Sequence, residues 1–254
     1  MRILLVTQDD PFYLAENVDY LIRQLPSHSQ VVACCLLKVS PFGQRESFIA
    51  KSLKTIKVFG ARFFARYTLL YLANRIRPSK RLKSVLRRLQ IPIVTPAGSI
   101  NDAATLSICR SFKPDLFISI AGNQVFKREL ISLAPEGCLN LHTALLPKYR
   151  GLLPTFWVLR NDEKETGVSV FFVDEAIDNG PILVQKKVRI DGQTQEELIR
   201  QTKGIGMIAI LEAIEMIQSG HYELIENKAA DGTYFSFPTR DDVRGFRRIG
   251  KRFF

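Results

Sequence analysis

Residues 1–39 read MRILLVTQDDPFYLAENVDYLIRQLPSHSQVVACCLLKV. Residues 3–7 are an apolar run ending in polar residues, the pattern of a strand buried on both faces of a parallel sheet. Asp10 followed by Pro11 predicts a helix start, with the carboxylate as N-cap and proline at the first helical position. Leu14, Val18, Leu21, Ile22 and Leu25 then recur on one helical face. Residues 31–39 are apolar again and read as a second strand. Strand, helix and strand in this order form a βαβ unit, so the expected fold is α/β with a mostly parallel sheet.

The rest of the chain continues the pattern. Residues 91–95, containing Pro92, predict a short edge strand. Asn101 or Asp102 caps a helix that ends near Phe112, and residues 116–121 and 137–141 read as buried strands. Residues 168–174 and 182–190 predict two more, the second partly exposed because it carries Lys186, Lys187 and Arg189. Thr194 with Glu197 is a capping box that opens a helix to about Ser219, where Gly220 stops it. Short extended pieces follow over 222–237, and Thr239-Arg240-Asp241-Asp242 starts a terminal helix. The expected organisation is one domain over 1–220, with a basic helical insertion at about 43–90, and a short C-terminal extension over 221–254.

A hydrophobic fraction of 46% and a charged fraction of 24% describe an ordinary globular chain. The net charge of +11 is concentrated. Between Arg45 and Arg88 stand thirteen Lys and Arg against one acid, Glu46, a local charge of +12, and a smaller basic run closes the chain at 244–252. With interleaved Phe and Tyr, the 45–88 segment suits tRNA or other nucleic acid, peripheral contact with an anionic membrane surface, a phosphate-bearing small molecule, or simply a solvated cationic face. Pro78-Ser79 divides it into two helical pieces. Residues 58–73 are its most apolar part, but Arg62 and Arg66 make them a poor transmembrane span. The N-terminus lacks the pattern of a signal peptide, so the expected compartment is cytoplasmic. Cys34, Cys35, Cys109 and Cys138 have no metal-ligand spacing, and the adjacent pair reads as buried thiols. Three scattered histidines predict no metal site. Residues 6–10, VTQDD, stand where a nucleotide-binding glycine-rich loop would follow the first strand.

His28 and His221 fall in predicted turns. His142 ends the 137–141 strand, at the carboxyl edge where open α/β sheets bind ligands. Asn140, two residues earlier, shares its face. Taken alone, a histidine there is more often structural than catalytic, and Asp178 in Ile-Asp-Asn-Gly alone reads as a turn residue.

The wider segment, Asn140-Leu-His142-Thr-Ala-Leu-Leu-Pro147-Lys-Tyr149-Arg150-Gly151, resembles the signature N-x-H-x-S-L-L-P-x-Y-R-G of the folate-dependent formyltransferases. Thr166-Gly167-Val168-Ser169 and Asp178-Asn179-Gly180-Pro181-Ile182-Leu183 also have counterparts there. Asp178, 36 residues after His142, takes the place of the family's catalytic carboxylate. Ile120 to Phe126 resembles the stretch whose main chain holds the pterin. The resemblance is clear over 114–190, with one departure: Ala144 stands where the family usually has serine.

This resemblance implies a Rossmann-like formyltransferase fold, with residues 1–220 as catalytic domain. It implies transfer from 10-formyltetrahydrofolate to a primary amine by Asn140, His142 and Asp178. It places folate contacts at Gln124, Val125, Phe126, Val173, Asp174 and Asp178. The residue types suit the chemistry, because an amine attacking a formyl carbon creates an oxyanion and an ammonium. Asn140 and protonated His142 can donate to the first, and Asp178 can accept the second's proton. Residues 150–157 resemble the methionyl-tRNA and amino-sugar branches more than the purine branch. The residues after Gly220 are too few for the β-barrel of the tRNA enzymes. The expected acceptor is a small phosphorylated or nucleotide-linked amino sugar. Aminoacyl-tRNA is the alternative, and a non-catalytic folate-binding protein is a second alternative.

Overall fold

Strand β1 (Arg2–Gln8), helix α1 (Leu14–Arg23) and strand β2 (Gln30–Leu37) form the expected unit, with β1 and β2 paired in parallel. The structure, a computed structural model, describes residues 1–39 and 47–254. Arg45, Glu46 and the expected start of the insertion at 43 lie outside the described residues. The start of α1 differs from expectation. The Asp10 carboxylate accepts the Phe12 N–H at 2.6 Å instead of capping a helix. That local turn occupies residues 11–13, so α1 begins after Tyr13, which supplies no side-chain cap.

The insertion comprises α2 (Phe48–Phe59), α3 (Ala61–Arg75), a single 3-10 turn at Pro78–Lys80 and α4 (Leu82–Arg88). Proline divides it as expected. A second break falls at Gly60, whose φ of 91° is a conformation that side-chain-bearing residues rarely adopt. The chain continues through β3 (Ile93–Val94), α5 (Ala103–Ser111), β4 (Leu116–Ile120), α6 (Arg128–Ile131) and β5 (Cys138–His142). It ends with β6 (Arg150–Gly151), α7 (Pro154–Arg160), β7 (Glu165–Phe172), β8 (Ile182–Arg189), α8 (Gln195–Ser219), β9 (Tyr234–Phe235) and α9 (Arg240–Arg248).

Seven strands form one sheet in the order β3-β2-β1-β4-β5-β7-β8, while β6 and β9 pair separately. The five strands from β3 to β5 are parallel; β7 and β8 are antiparallel. The predicted edge strand β3 and the partly exposed β8 are the two edges. From β1 the chain passes outward to β2 and returns on the other side to β4, which makes a topological switch point at the carboxyl ends of β1 and β4. Alternate β1 residues serve different cores. Ile3 and Leu5 join α1, α4 and α8 on one face, and Leu4 and Val6 join α5 and α6 on the other. A strand sandwiched this way must be apolar at every position, which is why its run is unbroken. All four cysteines are free and buried.

Residues 221–254 pack onto this body. A third core joins Phe156 and Leu159 of α7 to Val243 and Phe246 of α9, to Phe253, and to Phe59 of α2. The Phe246 ring stacks on Phe156 at 5.1 Å and on Phe253 at 4.6 Å. The carbonyls of Arg252 and Phe253 accept the N–H groups of Gln195 and Glu196 at 2.9 and 3.0 Å, satisfying first-turn donors of α8 that no helical carbonyl reaches. Thr194 and Glu197 complete that end as the predicted capping box, and Gly220 closes α8 in the left-handed conformation. Among the described residues no helix is long and apolar enough to cross a membrane.

Phe246 is fully buried. Phe246→Ala is expected to destabilise the fold by about 3–5 kcal/mol, through lost transfer energy and the cavity left behind. Urea unfolding measures this, and a loss below about 1 kcal/mol would show that the C-terminal segment is not part of the core.

Candidate active site

Strand β5 ends in Asn140 and His142, and a cavity of about 490 Å³ opens where β1, β4 and β5 end. Asn140, His142 and Asp178 all border it, as do Gln124, Val125 and Phe126 from one loop and Val173 and Asp174 from another. The structure therefore brings the three expected catalytic residues and the expected folate contacts to one cleft, while His28 and His221 lie outside it.

His142 is 6% exposed, and its Nε2 lies 2.7 Å from the Tyr149 carbonyl oxygen. A carbonyl only accepts, so the network assigns the proton to Nε2 and leaves Nδ1 as the nitrogen available to the site. Nδ1 faces Asp178 Oδ2 at 3.6 Å, an ion-pair distance when the ring is charged. The same Asp178 oxygen accepts the Gly151 N–H at 2.9 Å. Gly151 has φ of 91°, and a Cβ there would sit 2.3 Å from the Phe235 carbonyl oxygen, so the β6–β9 pairing tolerates only glycine. Asp178 itself has φ of 51°. Two residues on, a Cβ on Gly180 would fall 1.7 Å from the Phe172 carbonyl oxygen.

This strained turn is held by two buried side chains. Asn227 donates through Nδ2 to the carbonyls of Asp178 and Gly180 at 3.0 and 2.9 Å. Its Oδ1 accepts from Arg150 Nη2 at 2.7 Å, and Arg150 Nη1 donates to Asn179 Oδ1 at 3.1 Å. Asn179 in turn donates to Asp174 at 3.2 Å. Arg150 belongs to the quoted signature. Asn227 lies in the irregular C-terminal stretch, without periodicity or motif to mark it, and the sequence reading missed it.

On the loop after β4, the Gln124 side chain is anchored by the Ile100 N–H at 2.8 Å, Phe126 is buried, and Val125 is exposed. Ala144 is fully buried in the third core, so a methyl occupies the position of the family's usual serine.

The cavity is also lined by Tyr13, Lys203, Tyr234 and Phe237, none of which the sequence marked as site residues. The Tyr13 hydroxyl pairs with Tyr67 of α3 at 3.0 Å, which ties the insertion to the cavity wall. Burial holds the Lys203 ammonium below its ordinary pKa, with the Asp10 carboxylate partly opposing the shift. Burial likewise raises the Asp10 carboxyl, against the pull of Lys203 and of the Phe12 and Tyr13 N–H groups. The signal in the sequence was a lone cation, Lys203, inside the apolar stripe of α8.

Residues 75–214, more than half the chain, match the family model described as formyl transferase. A methionyl-tRNA formyltransferase of Kosmotoga olearia is 33% identical over 163 residues, 64% of this chain and 52% of that protein. One of Thermodesulfovibrio yellowstonii is 35% identical over 140 residues, 55% and 45% of the two chains. The chain spans about half the length of the curated relatives it matches. Among solved structures, a sugar N-formyltransferase from a Shewanella species superposes with a TM-score of 0.61 at 16% identity, covering 100% of this chain and 90% of that one. Glycinamide ribonucleotide transformylase 1 from Symbiobacterium toebii gives 0.60 at 18% identity, covering 89% and 94%.

Asn227→Ala removes the partners of two carbonyls and part of the cradle of a buried guanidinium. Calorimetry or urea unfolding is expected to show a loss of about 2–4 kcal/mol. Lys203→Met leaves the Asp10 carboxyl without its opposing cation and is expected to lower the melting temperature. An unchanged or higher melting temperature would mean that the two groups do not stabilise each other.

Proposed function

The chain belongs to the formyl transferase family, and from that premise we propose that its cavity transfers a formyl group from 10-formyltetrahydrofolate to a primary amine. One observation carries this reading: Asn140, His142 and Asp178 border the same cavity, with His142 Nδ1 3.6 Å from Asp178 Oδ2.

The amine lone pair attacks the formyl carbon, forming a C–N bond and moving the carbonyl electrons onto oxygen. The Asn140 amide N–H stabilises that oxyanion. His142 keeps its Nε2–H on the Tyr149 carbonyl, so only Nδ1 can carry the mobile proton. As an imidazolium, its Nδ1–H is shared between Asp178 and the oxyanion. Asp178 takes the proton of the new ammonium, directly or through a water. Collapse of the intermediate breaks the bond to N10 of the folate, and the His142 Nδ1 proton goes to that nitrogen. A proton passed from Asp178 to His142 restores the starting state. The products are a formamide and tetrahydrofolate. Gly151 N–H and the Arg150–Asn227 pair orient Asp178, so the carboxylate need not reorganise during the reaction.

The folate occupies the side lined by Gln124, Val125, Phe126, Val173, Asp174 and Asp178. The acceptor takes the wall of Tyr13, Lys203, Tyr234 and Phe237. Rings that can stack on a sugar or base, with one ammonium for a phosphate, support a small phosphorylated or nucleotide-linked amino sugar. The solved sugar N-formyltransferase shares the fold over the whole of this chain. A second reading, aminoacyl-tRNA, is favoured by the curated relatives and by the cations of the insertion.

The test is formyl transfer to a panel of amines, with folate binding measured in parallel. Asp178→Asn is expected to lower kcat/KM by about a thousandfold and His142→Ala by at least about a hundredfold, the His142 variant retaining folate binding. Equal activity in Asp178→Asn would sink the mechanism. Folate binding without turnover of any amine would make the protein a binding module. Activity on charged initiator tRNA that is lost on neutralising Arg87 and Arg88 would move the acceptor to tRNA.

A further inference from the structure

The insertion is apolar in two directions. Helix α3 turns Phe63, Tyr67 and Asn74 inward, at positions i, i+4 and i+11. Phe63 stacks on Phe59 at 4.6 Å, the Tyr67 hydroxyl meets Tyr13, and Asn74 donates to the Pro11 carbonyl at 2.9 Å. The opposite side, which needs only polar residues in a solvated helix, carries Leu69, Leu72 and Ile76 at i, i+3 and i+7, with 68%, 52% and 82% of their surfaces exposed. Helix α2 repeats the arrangement. Lys51 and Lys54 turn inward to the Val39 carbonyl and the Phe237 ring, and Ile49, Leu53 and Ile56 form an exposed stripe at i, i+4 and i+7. Both stripes point away from the body because the other face of each helix is packed on it.

Exposed aliphatic stripes of this extent mark a surface that something covers. Charge identifies the occupant. Residues 47–88 contain no Asp or Glu, and the exposed cations Lys57, Arg75, Arg77 and Arg81 border or follow the stripes. We propose that α2 and α3 lie on an anionic lipid surface, with the two stripes entering the boundary between headgroups and acyl chains and the cations on the phosphates. A second copy of the chain fits poorly, because interface cores exclude charge and two such segments would repel. RNA could meet the cations but leaves the two stripes uncovered, because its binding sites use cations with aromatic rings and have no use for rows of Leu and Ile.

Sedimentation of the full chain with vesicles tests the inference without reference to formyl transfer. The protein is expected to sediment with phosphatidylcholine vesicles containing phosphatidylglycerol and to stay in solution with phosphatidylcholine alone. The triple variant Leu53→Gln, Leu69→Gln, Ile76→Gln should weaken that binding at least about tenfold. The triple variant Lys57→Gln, Arg75→Gln, Arg77→Gln should weaken it about a hundredfold. All six side chains are exposed, so circular dichroism should show both variants folded. Failure to sediment, equal binding to neutral vesicles, or binding unchanged in either variant would overturn the proposal. So would a dimer, seen by light scattering without lipid, that dissociates in the apolar variant, or an RNA gel shift lost in that same variant.

Discussion

The pairing of buried Arg150 with buried Asn227 holds together three pieces of chain that are distant in sequence. Arg150 comes from the strand that leaves the histidine loop, Asn179 from the turn that presents Asp178, and Asn227 from the C-terminal stretch. A guanidinium placed in a low-dielectric interior demands partners for its donors. The same demand fixes the backbone on either side of it. On one side lies Gly151, whose N–H orients the carboxylate. On the other lies the left-handed turn at Asp178, whose carbonyl is tied down by Asn227. Without this pair, the turn's positive φ and the close approach of Gly180 to Phe172 would have nothing to offset their strain.

Much of this architecture was legible in the sequence, for reasons that can be named. Buried parallel strands announce themselves as unbroken apolar runs, as in residues 3–7. Capping boxes announce helix starts, as at Thr194 and Glu197. Asn140 and His142 were legible because a period of two puts them on one face, and Asp178 because a second motif stood in register with the first. The misses also have physical causes. Asp10 followed by Pro11 satisfies every local rule for a helix start, but the half-buried carboxylate bonds to the Phe12 N–H and the helix waits a turn. Gly60 stands in an apolar run where nothing but its backbone conformation marks a break. Asn227, Tyr13 and Lys203 matter through contacts made 47 or more residues away along the chain, and local pattern cannot show such contacts.

The insertion and the cavity are connected rather than merely adjacent. Phe237 borders the cavity and meets the Phe59 ring of α2 edge-on at 5.8 Å, while Tyr13 borders it and meets Tyr67 of α3. The helices that carry most of the protein's excess positive charge thus form the second layer behind one wall of the cleft. Their position constrains that wall, whatever their outer faces touch.

The order in which the chain is made gives the C-terminal packing another meaning. The strands that carry Asn140 and His142 leave the ribosome well before Asn227, Phe246 and Phe253. Until those residues arrive, Arg150 lacks Asn227, the Asp178 turn lacks its clasp, and the Gln195 and Glu196 N–H groups of α8 lack their carbonyl acceptors. A nascent chain can therefore assemble its sheet early, yet it cannot set its carboxylate against its histidine until synthesis has passed the tail. The cleft is completed only once synthesis has passed Phe253, and a product stalled before that point would be a folded scaffold with an unfinished site.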